Sequence, residues 1–155
     1  MIREITSKDN AAIAAIIRKN LEDADLAIPG TAYFDEALDR FSEIYGKDDM
    51  RYYVYTKEGK VVGGIGFARF LSSDDTAELQ KLYLDDSVKG AGRGYRLIEH
   101  VEEAMRQAGF KKSYLETHDN LRAAIHIYEK CGYKEIERPK EVGHSTMNRF
   151  FIKEL

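Results

Sequence analysis

Hydrophobic residues recur along this chain with two different spacings, which predict alternating helices and strands. Apolar positions three or four residues apart predict helices over 10–21 and 34–44, from the glycine-rich loop after residue 88 to about 107, and from a cap at Asp119 or Asn120 to about 130. Short apolar runs bounded by turn residues predict strands over 2–5, 51–56, 61–70, 76–84, 113–117, 133–137 and 147–155. Because strands and helices are interspersed, this order indicates an α/β domain with a mixed sheet.

The loop over 89–94 lies between a predicted strand and the most clearly amphipathic of the predicted helices. Its residues are Lys89, Gly90, Ala91, Gly92, Arg93 and Gly94. Glycine allows the backbone to turn sharply and a ligand to approach it closely. The first N–H groups of a helix have no partner within the helix, and its dipole favours an anion. The loop therefore suits a pyrophosphate, and Arg96 adds a further positive charge nearby.

Other nucleotide-binding patterns fit this loop less well. A P-loop ends in Gly-Lys-Ser/Thr, which is missing here, and a dinucleotide fingerprint has the spacing Gly-x-Gly-x-x-Gly, whereas this loop has Gly90-x-Gly92-x-Gly94. A flexible turn that simply starts a helix remains an open alternative from the glycines alone.

Composition and charge narrow the class of protein. The 155 residues are enough for one domain, and 43% hydrophobic with 33% charged residues can form a packed core. The net charge of −3 gives no global field that attracts nucleic acid. No apolar run approaches the length of a membrane span, and a lone cysteine excludes an internal disulfide. We therefore expect a cytoplasmic protein without nucleic acid or membrane partners.

Two segments together resemble the GNAT acetyltransferase superfamily. The first, ELQKLYLDDSVKGAGRGYRLIEHVEEAMRQAGF over 78–110, resembles its coenzyme A-binding motif, Gln/Arg-x-x-Gly-x-Gly/Ala after a strand and a short loop. Lys89, Gly92 and Gly94 occupy the fixed positions, with Lys89 in place of glutamine or arginine. The second, AAIHIYEKCGYKEI over 123–136, is similar to the tyrosine-bearing helix of the superfamily. The resemblance covers nearly the whole chain, including the order of its elements.

The resemblance implies a single domain over 1–155 with the GNAT fold, in which helices flank a mixed, mostly antiparallel central sheet. It implies acetyl-coenzyme A as cosubstrate. Backbone groups of Leu82, Tyr83 and Leu84 would bind the acetyl-pantetheine arm, the loop from Lys89 to Gly94 the pyrophosphate, and Tyr128 would stand near the thioester sulfur. Many members have an asparagine seven residues before this tyrosine. Leu121 occupies that position here, and we interpret the neighbouring Asn120 as a helix cap.

Acetyl transfer to an amine requires a base for the amine proton and benefits from an acid for the leaving thiolate. By position, Glu78 matches the base of the histone-acetylating branch of the superfamily and Glu116 that of the ribosomal-protein branch. Tyr128 is the expected acid. Each has a structural alternative, an exposed strand carboxylate for the glutamates and a core residue for the tyrosine. We favour Glu78 slightly over Glu116.

The remaining reactive side chains have simpler interpretations. Cys131 follows an apolar helix face, so we expect a packed thiol and not a nucleophile. His118 and His144 lie in loops that would face the acceptor, although a loop histidine is usually solvated. His100 and His126 are expected on helix surfaces. The four histidines lack the spacing of metal ligands, so no metal is expected.

The function expected from these features is an N-acetyltransferase that moves the acetyl group to a primary amine by direct attack in a ternary complex. The acceptor class stays open among small amines, amino acids, antibiotics and protein or peptide amines. The oligomeric state is also open, and a homodimer is one option. Two alternatives belong to other classes. One is a sensor that binds acetyl-coenzyme A without catalysis, and the other is a regulator that binds a different phosphate ligand.

Overall fold

The computed structural model describes residues 1–143 and 145–155, which form one sheet flanked by helices. The strands are β1 (Ile2–Glu4), β2 (Met50–Lys57), β3 (Lys60–Arg69), β4 (Thr76–Leu84), β5 (Lys112–Thr117), β6 (Lys134–Ile136) and β7 (Arg149–Glu154). The α-helices are α1 (Asn10–Asp23), α2 (Phe41–Ile44), α3 (Arg93–Gln107) and α4 (Arg122–Lys130). The sheet order is β1-β2-β3-β4-β5-β7-β6, and within the described residues only β4 and β5 pair in parallel. The expected mixed, mostly antiparallel sheet is confirmed.

Two hydrophobic cores cover the two faces of this sheet. Residues of α1 and α2 pack with Tyr52 and Val54 on one face, and residues of α3 and α4 pack with Tyr53 and Tyr55 on the other. Successive residues of β2 thus alternate between the cores, as the pleat of a strand requires. Both faces are covered, which explains why consecutive residues of β2, from Tyr52 to Tyr55, are all buried.

A bulge in β4 divides that strand into two parts. Gly64 of β3 lies opposite Tyr83 and Gly66 opposite Gln80, so a single β3 residue faces two residues of β4, Lys81 and Leu82. Lys81 has a φ of 56°, in the left-handed region that side chains other than glycine seldom adopt. The hydroxyl of the buried Tyr52 donates a hydrogen bond of 2.8 Å to the carbonyl oxygen of Lys81 and so anchors the bulge.

The sheet opens where β4 and β5 separate. Their parallel pairing is confined to Thr76–Glu78 against Lys112–Tyr114. Beyond Glu78, β4 pairs only with β3, and beyond Tyr114, β5 pairs only with β7. A gap therefore opens toward the carboxyl ends of the two strands, which is where open α/β sheets bind their ligands.

The helix predicted over 34–44 is wrong in extent. The segment forms 3₁₀ turns at Ala32–Phe34 and Leu38–Arg40, and only Phe41–Ile44 is α-helical. The side chain of Asp35 accepts a hydrogen bond of 2.9 Å from the backbone N–H of Ala37, which starts a new turn in place of a continuing helix. Among the described residues, no helix is long and apolar enough to cross a membrane.

Candidate active site

The gap between β4 and β5 forms a cleft of about 510 Å³. The connection between α1 and α2 and the segment just before β7 complete its walls. Most of the residues singled out from the sequence line it, namely Glu78, Leu82, Tyr83, Leu84, Lys89, Gly90, Glu116 and Tyr128. These residues come from two strands, one loop and one helix, so the fold brings together positions that are up to fifty residues apart in the chain.

One edge of β4 faces the cleft without a partner strand. Tyr83 and Leu84 pair with Gly64 and Gly63 of β3, while β5 has already turned away. From α1, the side-chain amide of Asn20 donates a hydrogen bond of 2.9 Å to the carbonyl oxygen of Leu84 and so fixes the end of the strand. The open edge offers backbone donors and acceptors to an extended ligand, because such groups pair whenever they are removed from water.

The loop that follows carries a run of free backbone donors. Gly90 and Gly92 have φ values of 82° and 76°, and α3 begins directly after Gly92. Across 90–95, the backbone N–H groups donate to no acceptor within the part of the chain that the structure describes. Six consecutive free donors at the positive end of a helix dipole fit a pyrophosphate.

The other residues of this loop differ in what they contact. The cleft reaches the loop at Lys89 and Gly90, whereas Ala91, Gly92, Arg93 and Gly94 lie beyond its lining. A Cβ on Gly94 would lie 2.9 Å from Cδ1 of Ile127, so this glycine allows α3 to pack closely on α4.

The cations of the loop region have partners of their own. The Lys89 ammonium forms an ion pair of 2.8 Å with Asp86, which also contacts Lys19 of α1 at 3.3 Å. Arg93 lies 5.9 Å from the centre of the Tyr55 ring, and Arg96 donates a hydrogen bond of 3.2 Å to its hydroxyl. Two of the three expected cations are thus directed toward Tyr55 in this structure, and Lys89 is the one that lines the cleft.

Glu78 is partly buried, contrary to the alternative of an exposed strand carboxylate. It accepts a hydrogen bond of 3.0 Å from the side-chain amide of Gln80, whose oxygen accepts one of 2.6 Å from the Tyr45 hydroxyl. Burial raises the pKa of Glu78, and the nearby charge of Glu116 raises it further, while the bond from Gln80 opposes them. A carboxylate with a raised pKa is a stronger base near neutral pH.

Glu116, on β5, lines the same cleft but has a different hydrogen-bond partner. It accepts a hydrogen bond of 2.9 Å from the hydroxyl of Tyr114, which is 1% exposed. The parallel register places Tyr114 opposite Glu78, so the two glutamates flank one buried phenol. Burial raises the pKa of Tyr114, with the charge and hydrogen bond of Glu116 acting in the same direction, so this phenol remains a donor.

Tyr128 combines a packed ring with an unbonded hydroxyl. The side chain is 5% exposed, and its ring contacts those of Tyr133 and Phe151. Its hydroxyl has no hydrogen bond to a described residue, whereas that of Tyr133 donates one of 2.7 Å to Ser113. Every fully buried side-chain oxygen in the described structure is bonded, so the Tyr128 hydroxyl is open to the cleft. Burial raises its pKa, which keeps the phenol protonated at neutral pH.

The predicted cap of α4 is wrong. Leu121 occupies the N-cap position, and no side chain caps the helix. The side-chain amide of Asn120 instead donates a hydrogen bond of 2.8 Å to the carbonyl oxygen of Ala24, just after α1. Asp119 forms an ion pair of 2.8 Å with Arg149. These bonds tie the loop after β5 to its neighbours and shape the mouth of the cleft.

The three histidines that the structure describes, His100, His118 and His126, and Cys131 do not line the cleft. His118 accepts a hydrogen bond of 3.0 Å at Nδ1 from the backbone of Asn120. His100 is half-buried, 4.5 Å from the ring of Tyr53, and burial lowers its pKa, so it is less exposed than expected. Cys131 packs against the core, and burial raises the pKa of its thiol, as expected of a structural cysteine. His144 lies outside the described residues.

Several residues in or next to the cleft were not singled out from the sequence. Gln80 and Tyr114 donate hydrogen bonds to Glu78 and Glu116, respectively. Tyr45 donates one to Gln80, and Asn20 binds the end of β4. Strand alternation would have found Gln80 and Tyr114, because each lies two positions from a glutamate on the same strand face. Asn20 and Tyr45 are distant in sequence, and no local pattern marks them.

Comparisons with known proteins agree with this geometry. The model of the acetyltransferase (GNAT) family matches residues 18–133. The chain is 37% identical over 139 residues to the uncharacterized N-acetyltransferase YjgM of Escherichia coli (strain K12), covering 88% of this chain and 83% of that protein. The structure is similar to that of a GNAT-family acetyltransferase of Staphylococcus aureus Mu50, with a TM-score of 0.86, 19% identity and coverage of 99% and 98% of the two chains.

A second solved structure is that of an aminoglycoside 6'-N-acetyltransferase complexed with coenzyme A. Its TM-score is 0.76 at 18% identity, with coverage of 99% of this chain and 96% of that one. The family match spans most of the chain, and the relative and the folds agree with it. The chain therefore belongs to the GNAT acetyltransferase family, an acyltransferase family whose acetyl donor is acetyl-coenzyme A.

Proposed function

We propose that this acetyltransferase moves the acetyl group of acetyl-coenzyme A to a primary amine by direct attack, with both substrates bound in the cleft. One observation carries the proposal. A single cleft contains an open strand edge, the start of a loop with free N–H donors, two carboxylates and an unbonded phenol. These are the groups that positioning, deprotonation and protonation of the leaving thiolate require.

The cosubstrate supplies an acetyl group activated as a thioester. In the proposal, the open edge at Leu82, Tyr83 and Leu84 pairs with its amide-bearing arm, and the N–H groups of 90–95 bind its pyrophosphate. Only the short 3₁₀ turn Asp86–Val88 separates the strand edge from the loop, so one extended ligand can contact both. A free backbone N–H at the strand edge is also a suitable donor for the oxyanion that develops during attack.

Glu78 is the proposed base. It takes a proton from the acceptor ammonium, directly or through a water molecule, and leaves the nitrogen lone pair free to attack. Its raised pKa supports this assignment over Glu116, whose carboxylate already accepts a hydrogen bond from Tyr114. Glu116 then contributes negative charge that attracts the cationic amine to the cleft.

Tyr128 is the proposed acid. As the bond from the acetyl carbon to sulfur breaks, its hydroxyl donates a proton to the departing thiolate and recovers one from solvent afterwards. The hydroxyl has no competing partner among the described residues, and its raised pKa keeps the proton in place until it is needed.

The test is acetyl transfer from labelled acetyl-coenzyme A to a panel of primary amines, followed by initial-rate kinetics with both substrates varied. Direct attack predicts intersecting double-reciprocal lines and no acetylated protein residue. Cys131→Ala serves as the control, and its rate should match the wild type. Parallel lines with an acetylated side chain would contradict direct attack. Binding of acetyl-coenzyme A without transfer to any amine would favour the sensor alternative.

A further inference from the structure

Lys81, the bulge residue of β4, also belongs to the lining of the cleft. It lines the cavity three positions after Glu78, and its charge is close enough to lower the pKa of that carboxyl. Within 1–143 and 145–155, its ammonium forms no ion pair and no side-chain hydrogen bond. An unpaired positive charge therefore lies near the Glu78 carboxylate.

The other cations that line the cleft differ from Lys81. Lys89 is paired with Asp86 at the loop. Arg122 lies at the start of α4 and also lines a separate outer groove beside Asp119 and Glu129. Lys81 alone of the three is placed on the strand that carries Glu78, so it is the cation nearest in sequence to the proposed base.

The backbone fixes where this lysine begins. Its φ of 56° belongs to the bulge, and the Tyr52 hydroxyl binds its carbonyl oxygen at 2.8 Å. Glycine would adopt this conformation without strain, so the bulge itself does not require a lysine. The side chain adds a mobile ammonium on a stem whose origin is held in place.

We propose that the acceptor is a free amino acid whose α-amine reacts, and that Lys81 binds its carboxylate while Glu78 receives the proton of its amine. This inference rests on the function proposed above. An α-amino acid carries opposite charges a few bonds apart, which matches a free ammonium and a carboxylate three residues apart on one strand. An acceptor with amines alone would leave Lys81 unpaired and adjacent to a like charge.

The experiment measures kcat/KM for L-amino acids and for their α-carboxamides, which keep the shape and remove the negative charge. We expect the wild type to prefer the acid of at least one matched pair by about tenfold or more, as a charge-assisted contact allows. Lys81→Gln and Lys81→Gly should reduce that preference to about twofold or less, and Lys81→Arg should retain part of it. Glycine suits the local backbone, so this variant should fold. Lys57→Gln, at the exposed end of β2, is the control.

Four results would overturn the inference. Equal use of acids and carboxamides by the wild type contradicts it, while the proposed function stands. A preference for the acid over its carboxamide that survives in Lys81→Gly also contradicts the inference and leaves the proposed function standing. An equal fall for acids and carboxamides in Lys81→Gln would show that Lys81 acts on Glu78 and not on the acceptor. Transfer to no amine at all would overturn the proposed function together with the inference.

Discussion

The two halves of β4 differ in what lies along their edges. Thr76–Glu78 is paired on both edges, with β3 and with β5. Leu82, Tyr83 and Leu84 have β3 on one edge and the cleft on the other. One extra residue, at the bulge, lies between a half that is part of the framework and a half whose backbone is available to a ligand. The comparison shows that one continuous strand can serve as framework in its first half and as a binding edge in its second.

The largest expected effect concerns Tyr128, which lines the cleft together with the open half of β4. Its neighbour Tyr133 provides a matched control. Tyr128→Phe keeps the ring in the core and removes a hydroxyl that bonds to no described residue. Turnover should fall by roughly 10²- to 10⁴-fold if proton transfer limits the rate, with little change in melting temperature. Measurements of turnover and acetyl-coenzyme A affinity on one preparation check this.

The control for that change is Tyr133→Phe, which removes a hydroxyl bonded to Ser113 at 2.7 Å. It should cost about 1 kcal/mol of stability and leave turnover within a few-fold of the wild type. A single-turnover rate of Tyr128→Phe equal to the wild type would make Tyr128 a packing residue only.

Replacing Glu78, the last residue of the first half, should change activity and stability in opposite directions. Glu78→Gln keeps an acceptor for Gln80 and removes the base, so kcat/KM should fall by roughly 10²- to 10³-fold. Glu116→Gln should cause a smaller fall in the same assay. An equal or larger loss in Glu116→Gln would assign the base to Glu116 instead.

The stability effect of Glu78→Gln follows from the raised pKa of Glu78. The folded state binds this proton more tightly than the unfolded state, so the wild type loses stability as pH rises from the ordinary glutamate pKa through the raised value. The variant does not titrate there. Urea unfolding should find it more stable than the wild type at pH 7, with the difference vanishing at about pH 4. A variant less stable than the wild type at pH 7 would contradict the burial argument.

A pair of glycines separates ligand contact from backbone strain in the loop beyond β4. Gly92 and Gly59 have φ values of 76° and 79°, and an added Cβ would meet no protein atom within 4 Å at either position. Alanine should therefore cost similar stability at both, about 1 kcal/mol. Only Gly92→Ala should weaken coenzyme A binding, by roughly tenfold, because the added methyl group crowds a phosphate at the loop. Calorimetric titration gives the comparison, and equal affinities in both variants would remove the loop from the binding site.

The smallest expected effect concerns the anchor of the bulge. Tyr52→Phe removes the hydrogen bond to the carbonyl oxygen of Lys81 and should cost about 1 kcal/mol of stability. If that bond fixes the shape of the bulge, turnover should also fall a few-fold, since the reacting groups lose alignment without it. Unchanged turnover at equal occupancy would show that the bulge keeps its shape without this bond.

Local sequence signals predicted the framework and part of the cleft. Periodicity predicted α3 and β4 because one helix face or strand face is apolar along its whole length. The continuous helix over 34–44 was wrong because the Asp35 side chain competes for the backbone, which periodicity does not register. Asparagine is a residue type that often caps helices, but the side-chain amide of Asn120 binds the carbonyl oxygen of Ala24, which is distant in sequence. Likewise, the 4% exposure of Glu102 depends on its ion pair of 3.0 Å with Lys153 from β7, a tertiary contact.

Amide hydrogen exchange with and without coenzyme A tests the difference between the two halves of β4 most directly. The account predicts slower exchange on binding at 82–84 and at the free donors of 90–95, and unchanged exchange at 76–78, which is already paired on both edges. The added protection should be lost in Gly92→Ala at ligand concentrations that no longer saturate it. Protection confined to other segments, or none at saturating coenzyme A, would contradict the assignment of the open half of β4 as the binding surface.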